Sequence, residues 1–207
     1  MATPLGVFGT GNPHKVAELI DLFAPAGVTW KLLTDFPDAI EVDETGTTFA
    51  ENARIKASTY ATRLRHWVLA EDAGLAVDAL GGEPGVYSAR FAGEPRDDGR
   101  NIQKLLELLK DVPPEKRSAR FVCHMVLADP QGQVQAEAEG CCHGRITFAP
   151  RGNQGFGYDP VFEILEYHRT LAELGLAVKG CLSHRARAAR LILPEIVRLV
   201  DSGLWTP

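Results

Sequence analysis

The chain has 207 residues, 45% hydrophobic and 24% charged, which is enough for a substantial core and too evenly mixed for intrinsic disorder. Its net charge of -5 argues against a general duplex-binding protein, which would present a basic surface, so no nucleic-acid partner is expected. A small anionic ligand needs only local lysines and arginines and stays possible.

The N-terminal MATPLGVFGTGNPHK lacks the basic-then-apolar order of a secretory signal, and no run approaches the roughly eighteen apolar residues of a membrane span. The four cysteines, Cys123, Cys141, Cys142 and Cys181, form no C-x-x-C pair. A cytoplasmic chain with reduced thiols and no membrane partner is therefore expected. Cys141-Cys142-His143 has no matching second half, so no zinc site is expected.

Taken in order, Leu5 to Phe8 reads as a short buried strand. Asn12 is a natural N-cap with Pro13 at N1, opening a helix whose apolar face is Val16, Leu19, Ile20 and Phe23. Val28 to Leu33 reads as a second strand. Thr48 and Glu51 form a capping box, and the helix behind them carries Phe49, Ala53, Ala57, Tyr60 and Leu64 on one side. Trp67 to Ala70 reads as a buried strand ending at Glu71-Asp72.

Beyond the glycine- and proline-rich stretch 80–93, Ile102 to Leu109 is amphipathic and helical. Arg120 to Ala128 and Gln133 to Phe148 read as paired strands across a turn at Asp129-Pro130-Gln131-Gly132. A last helix starts after Ser183 and packs through Ala188, Leu191 and Ile192. The pattern predicts an α/β fold, with a mixed twisted sheet, flanking helices and a long β-hairpin. It is expected to be a single domain spanning 1–207, with two lobes around a central cleft.

Five segments carry candidate chemistry. Thr10-Gly11-Asn12-Pro13-His14-Lys15 is a strand-to-helix turn whose amides and lysine suit an anion. It is not a P-loop, because G-x-x-x-x-G-K-[ST] is absent, and His14 stands where a dinucleotide fingerprint needs its third glycine. Glu44 precedes the second helix, on which Asn52 and Lys56 are four residues apart and share an edge. Glu71 and Asp72 end a buried strand; with Glu44 they offer the hard oxygen ligands that Mg²⁺ prefers, or a general base. Gly155-Phe156-Gly157-Tyr158-Asp159 interleaves aromatics with glycine, as a base-stacking loop would. Finally, Lys179 precedes Ser183-His184-Arg185, where cations in a helix's first turn oppose its dipole and point to a negative or acceptor-rich partner.

In order and in register, TGNPHK, DETGTTFAENARIKA, LGGEPGVYSARFAG, PRGNQGFGYDPVF and SHRARA resemble the inosine triphosphate pyrophosphatase family, also called dITP/XTP pyrophosphatases, from Val7 to about Leu191. The resemblance implies Mg²⁺-dependent hydrolysis of ITP, dITP and XTP to the monophosphate and pyrophosphate, by a homodimer that clears deaminated purines from the nucleotide pool. It implies that Thr10, Gly11, Asn12, Pro13, His14 and Lys15 contact the triphosphate with help from Lys56. Glu44 and Asp72 would hold the metal, Asp72 would be the base, and Glu71 would belong to the same acidic cluster. Phe156, Gly157, Tyr158, Asp159, Lys179, His184 and Arg185 would form the base pocket. Two positions depart from many bacterial members: Ala73 replaces a serine, leaving only its backbone to contribute, and Glu71 replaces an aspartate. A Maf-like pyrophosphatase of different base preference, or a nucleotide sensor without turnover, are the alternative readings.

Overall fold

The computed structural model describes residues 3–37 and 39–205. Seven strands hydrogen-bond in the order β2-β1-β3-β4-β5-β6-β7. These are β1 (Leu5–Phe8), β2 (Thr29–Leu32), β3 (Trp67–Val77), β4 (Ser118–Ala128), β5 (Val134–Ile146), β6 (Phe162–Ile164) and β7 (Arg169–Thr170). Among the described residues the α-helices are α1 (Pro13–Phe23), α2 (Phe49–Leu64), α3 (Asp98–Leu108), α4 (Leu171–Leu182) and α5 (His184–Asp201). β1 runs parallel to β2 and β3, whereas β6 is antiparallel to β5 and β7, so the sheet is mixed, as expected. The expected long hairpin is β4–β5, closed at Asp129, whose amide donates to the Gln133 carbonyl at 3.0 Å. Among the described residues no helix is long and apolar enough to cross a membrane.

The chain divides into two compact units. The first comprises Met1–Asp72, Cys123–Gly140 and Arg185–Pro207. Its core includes Val7, Ala53, Ala57, Tyr60, Val68 and Val126, with alanines on α2 letting the helix lie close to the sheet. An aromatic cluster closes its other side: Phe8 stacks on Trp30 at 4.4 Å and Trp67 on Trp205 at 4.5 Å. Gly6 is required by this packing, since a Cβ there would stand 2.6 Å from the Trp30 ring. The indole of Trp205 donates to the Leu5 carbonyl at 3.0 Å, tying the chain's end to β1.

The second unit comprises Ala73–Val122 and Cys141–His184. Leu75, Leu105, Leu109, Phe121, Ile146 and Phe162 are in its core. Arg117, 1% exposed, donates to the carbonyls of Leu109, Ile146 and Thr147 at 2.6–2.8 Å, satisfying backbone acceptors at the ends of α3 and β5.

Four expectations need correction. β3 does not stop at Ala70 but continues through Glu71 and Asp72 to Val77, so the acids lie inside a strand. Ile20 and Leu191, assigned to apolar helix faces, are 48% and 61% exposed; Leu19, Phe23, Ala188 and Ile192 make the contacts instead. β6, β7 and α4 were not foreseen, being short or, in α4, interrupted by Gly175 at φ 83°. The second strand is also shorter than expected, Thr29–Leu32.

Candidate functional site

The turn after β1 is built from local chemistry. Gly9 pairs its amide with the Leu69 carbonyl at 2.8 Å, extending the β1–β3 ladder by one step. Asn12 then caps α1, its side-chain oxygen accepting from the amides of His14 at 2.9 Å and Lys15 at 3.4 Å, while Pro13 has no amide to satisfy. Gly11, Pro13 and His14 are exposed, and Thr10, Asn12 and Lys15 half-buried. Lys15 reaches back to Glu71 at 3.2 Å.

On α2 the expected capping box is present: Thr48 accepts from the Glu51 amide and Glu51 from the Thr48 amide. This sets the helix so that Asn52 and Lys56, one turn apart, both reach Asp72. The Lys56 ammonium lies 3.2 Å from Asp72 Oδ1 and 3.1 Å from Glu44 Oε1. The Asn52 amide donates to Asp72 Oδ2 at 3.2 Å and accepts from the Gly46 N–H at 2.8 Å. Burial pushes the Asp72 carboxyl above its ordinary range, Lys56 pulls it back, and the Glu44 charge raises it further, leaving it raised overall. Burial alone would lower the Lys56 pKa, but Asp72 and Glu44 overcome that and raise it, so the group stays an ammonium.

Glu71 is not part of that acidic group. Successive strand residues face opposite ways, and Glu71 has a separate set of partners. Arg185, 1% exposed, forks onto it through Nε and Nη2, both at 2.8 Å, and gives Nη1 to Glu18 at 2.6 Å. The Cys123 thiol donates to the same carboxylate at 2.9 Å. Burial opposes ionisation of Glu71, but Arg185 and Lys15 outweigh it and hold the carboxyl well below its usual range. Burial and the adjacent Glu71 charge push the Cys123 thiol well up, so it remains protonated. The Arg185 expected to face a base edge thus has three nitrogens on two carboxylates, through contacts 114 and 167 residues away in sequence that no local motif announces.

In the second unit, Lys179 and Asp159 form an ion pair at 2.6 Å, 3% and 2% exposed. The Phe156 amide donates to Asp159 at 3.0 Å, and the Lys179 ammonium sits 4.2 Å from the Phe156 ring centroid. Gly157 donates to Asp98 at 2.7 Å, and the Tyr158 hydroxyl to the Ser88 carbonyl at 2.9 Å. Burial, with the Asp98 charge adding to it, pushes the Tyr158 phenol up, so it acts as a neutral donor. The expected loop residues Phe156, Gly157, Tyr158 and Asp159 are therefore assembled with Lys179. His184 stacks on Phe121 at 4.8 Å, and Ala73 is a half-buried β3 residue. Asp98 and Ser88, which bond to these loop residues, were not expected there, and Asn52 was noted without a partner being assigned to it. For Asn52 the signal existed in its shared helix edge with Lys56; Asp98 and Ser88 act through long-range contacts.

The donor set of Glu44 and Asp72 fits a divalent cation that prefers hard oxygens. Both carboxylates already converge on one positive group, the Lys56 ammonium. Among the described residues no group of three or more His, Cys, Asp or Glu side chains is placed to hold a metal ion.

The Glu71–Arg185 pair generates a stability prediction. Glu71→Gln leaves a buried guanidinium short of its main counterion and is expected to cost about 3 kcal/mol at neutral pH. Because the folded pKa of Glu71 lies below the unfolded value, its contribution is complete above the ordinary 4.5 and is lost as pH falls through the folded value. Urea midpoints of both proteins should therefore differ most at neutral pH and converge only below about pH 4.5. Equal midpoints at neutral pH would remove the ion pair's structural role.

Residues 6–195 match the Ham1 family. The chain is 51% identical over 197 residues to a Rhodopirellula baltica protein named dITP/XTP pyrophosphatase, covering 95% of each chain. A Geobacillus kaustophilus protein of the same name is 54% identical over 182 residues, 88% of this chain and 89% of its own. Among solved structures, the Staphylococcus aureus Ham1 protein aligns with a TM-score of 0.83 at 35% identity, covering 96% of this chain and 99% of that one. The Mycobacterium abscessus nucleoside-triphosphatase / dITP/XTP pyrophosphatase gives 0.75 at 42% identity, covering 90% and 96%. Motifs, fold and near-complete coverage on both sides agree, and the chain belongs to the Ham1 family.

Proposed function

We propose that this protein is a dITP/XTP pyrophosphatase, hydrolysing dITP, XTP and ITP to the monophosphate and pyrophosphate and so removing deaminated purines from the nucleotide pool. The name its relatives share supports the substrate class. The observation that carries the chemistry is the buried Asp72, its proton affinity raised, gripped by Lys56 beside Glu44.

In this reading Asp72 takes a proton from the water that attacks the α-phosphorus. Its raised pKa makes it a stronger base than an ordinary carboxylate, and Lys56 keeps it ionised until the proton arrives. The bond from the α-phosphorus to the bridging oxygen breaks, and pyrophosphate leaves with that oxygen. Lys56 and Lys15 offset the charge that develops there, and the turn Thr10, Gly11, Asn12, Pro13 and His14 orients the phosphates. Glu44 and Asp72 would hold Mg²⁺, which when bound supplies further charge neutralisation on the triphosphate. Glu71 acts through Arg185 and Lys15 as their counterion.

In this reading the base lies against Phe156, Gly157, Tyr158, Asp159 and Lys179, with His184 and the Ala73 backbone, while Arg185 is engaged by Glu71 and Glu18. Donors among these suit the 6-keto acceptor of hypoxanthine and xanthine; adenine would set an amino group against them and leave buried groups unpaired. The proposal includes a homodimer.

Incubation with Mg²⁺ and a panel of ITP, XTP, dITP, GTP, ATP, dTTP and UTP is expected to give monophosphate and pyrophosphate selectively from the first three. Diphosphate and phosphate would mean attack at the γ-phosphorus; preference for dTTP or UTP would indicate a different base pocket; no product would leave a nucleotide-binding protein without turnover. Asp72→Asn should lower kcat by roughly a hundredfold to ten-thousandfold while nucleotide affinity, measured by calorimetry, stays within a few-fold. Near-normal turnover in the folded variant would remove Asp72 as base. Sedimentation velocity should show twice the 22.5 kDa chain mass, and a 22.5 kDa species alone would remove the dimer.

A further inference from the structure

Asn52, the fourth residue of α2, is a polar side chain 1% exposed, and both ends of its amide are occupied. Its Nδ2 donates to Asp72 Oδ2 at 3.2 Å, and its Oδ1 accepts the Gly46 N–H at 2.8 Å. The orientation is dictated by the neighbours, because a flipped amide would set oxygen against the carboxylate and N–H against N–H. Asp72 is thereby held by two different donors, Asn52 on Oδ2 and Lys56 on Oδ1, both from α2 and one turn apart. Two donors on two oxygens fix the plane of the carboxylate, which a single ion pair would leave free to rotate.

The other end of the amide bears on Glu44. Gly46 follows Glu44 by two residues in a segment without helix or strand, and its backbone bond to Asn52 anchors that segment on α2 together with the Thr47 bonds to Glu51 and the Glu44–Lys56 pair. The approach is close enough to exclude any side chain at position 46: a Cβ there would lie 2.6 Å from Asn52 Oδ1 and 2.6 Å from the Glu51 Cβ. One neutral side chain therefore contributes to the placement of both carboxylates that flank Lys56.

We infer that Asn52 is a positioning residue that contributes to the orientation of Asp72 and the placement of Glu44, and through them to both turnover and divalent-cation affinity. This rests on the assignment of Asp72 and Glu44 above. A neutral amide suits the position because it donates to Asp72 without adding a third negative charge beside it.

Asn52→Asp is nearly the same shape and keeps an acceptor for Gly46, but it has no donor for Asp72. It also places a third carboxylate beside Asp72, a charge effect that Asn52→Ala lacks. The inference expects kcat on dITP to fall 10- to 100-fold in both variants, the range seen when partners of ligating groups are removed, with KM changed less than threefold. Asn52→Ala removes both arms and should in addition weaken Mn²⁺ binding to the nucleotide-free protein about tenfold by calorimetric titration. Gly46→Ala leaves Asn52 chemically intact yet crowds its amide oxygen out of position, and should lower kcat at least tenfold; it decides the matter if Asn52→Ala fails to fold. Wild-type kcat in both Asn52→Asp and Gly46→Ala, or unchanged Mn²⁺ affinity in folded Asn52→Ala, overturns the inference. The Mn²⁺ titration needs no turnover, so weakened binding in the variant with an inactive wild type would sink the proposed reaction while leaving the positioning role standing.

Discussion

Two consecutive carboxylates buried inside a β-strand impose the constraint around which the first unit is arranged. Glu71 and Asp72 are 2% and 5% exposed, and an unpaired carboxylate so buried would cost several kcal/mol. Strand alternation sends them to opposite faces, so each has its own contact partners, although the Lys15 charge favours the ionised form of both. α2 answers Asp72 with Lys56, and α1 and α5 answer Glu71 with Lys15 and Arg185. The helices are thus placed by charge as well as by their apolar faces, and each has a reason to occupy its own side of β3.

The two acids are solvated differently in consequence. Glu71 meets a bidentate guanidinium, an ammonium and a thiol, and is held ionised far below the ordinary carboxylate range. Asp72 meets one ammonium, one neutral amide and, across Lys56, the repelling charge of Glu44, so that burial prevails and its pKa rises. Neighbours in sequence are separated by environment into a fixed counterion and a responsive base, and pairs of groups pushed apart in this way mark acid–base chemistry. Arg185 gains a second carboxylate, Glu18, so Lys15, Glu71, Arg185 and Glu18 form a set of balanced charge.

Local features were legible in the sequence because their causes are local. The Asn12 cap, the Thr48–Glu51 capping box and the β4–β5 turn each depend on residues within a few positions of one another, and all are present. The loop Phe156–Asp159 was found from its glycine–aromatic pattern, which the structure explains by backbone donors to Asp159 and Asp98. What escaped depends on distance along the chain. Two charges interrupt the hydrophobic run of β3 and mimic a strand end; only Lys56 and Arg185, brought in by folding, make them tolerable inside it. The same blindness placed Glu71 with Glu44 and Asp72, since adjacency suggests a cluster where alternation dictates separation. Ile20 and Leu191 match helical spacing but fall at the edge of their stripes, where period alone cannot tell contact from exposure.

The separation of the two faces also divides the consequences of change. On the Glu71 face a buried carboxylate and a buried guanidinium are matched through a rigid fork, so altering one leaves its partner stranded and acts first on stability. On the Asp72 face the grip is weaker and partly neutral: contacts at 3.1 and 3.2 Å join Lys56 and Asn52 to oxygens that must also be available to a proton or a cation. A tighter, fully ionic clamp there would hold Asp72 as firmly as Glu71 and depress its proton affinity in the same way, leaving a well-formed pair with no capacity to act as a base. The longer contacts and the neutral amide are thus the structural condition for a carboxylate that is positioned and still reactive.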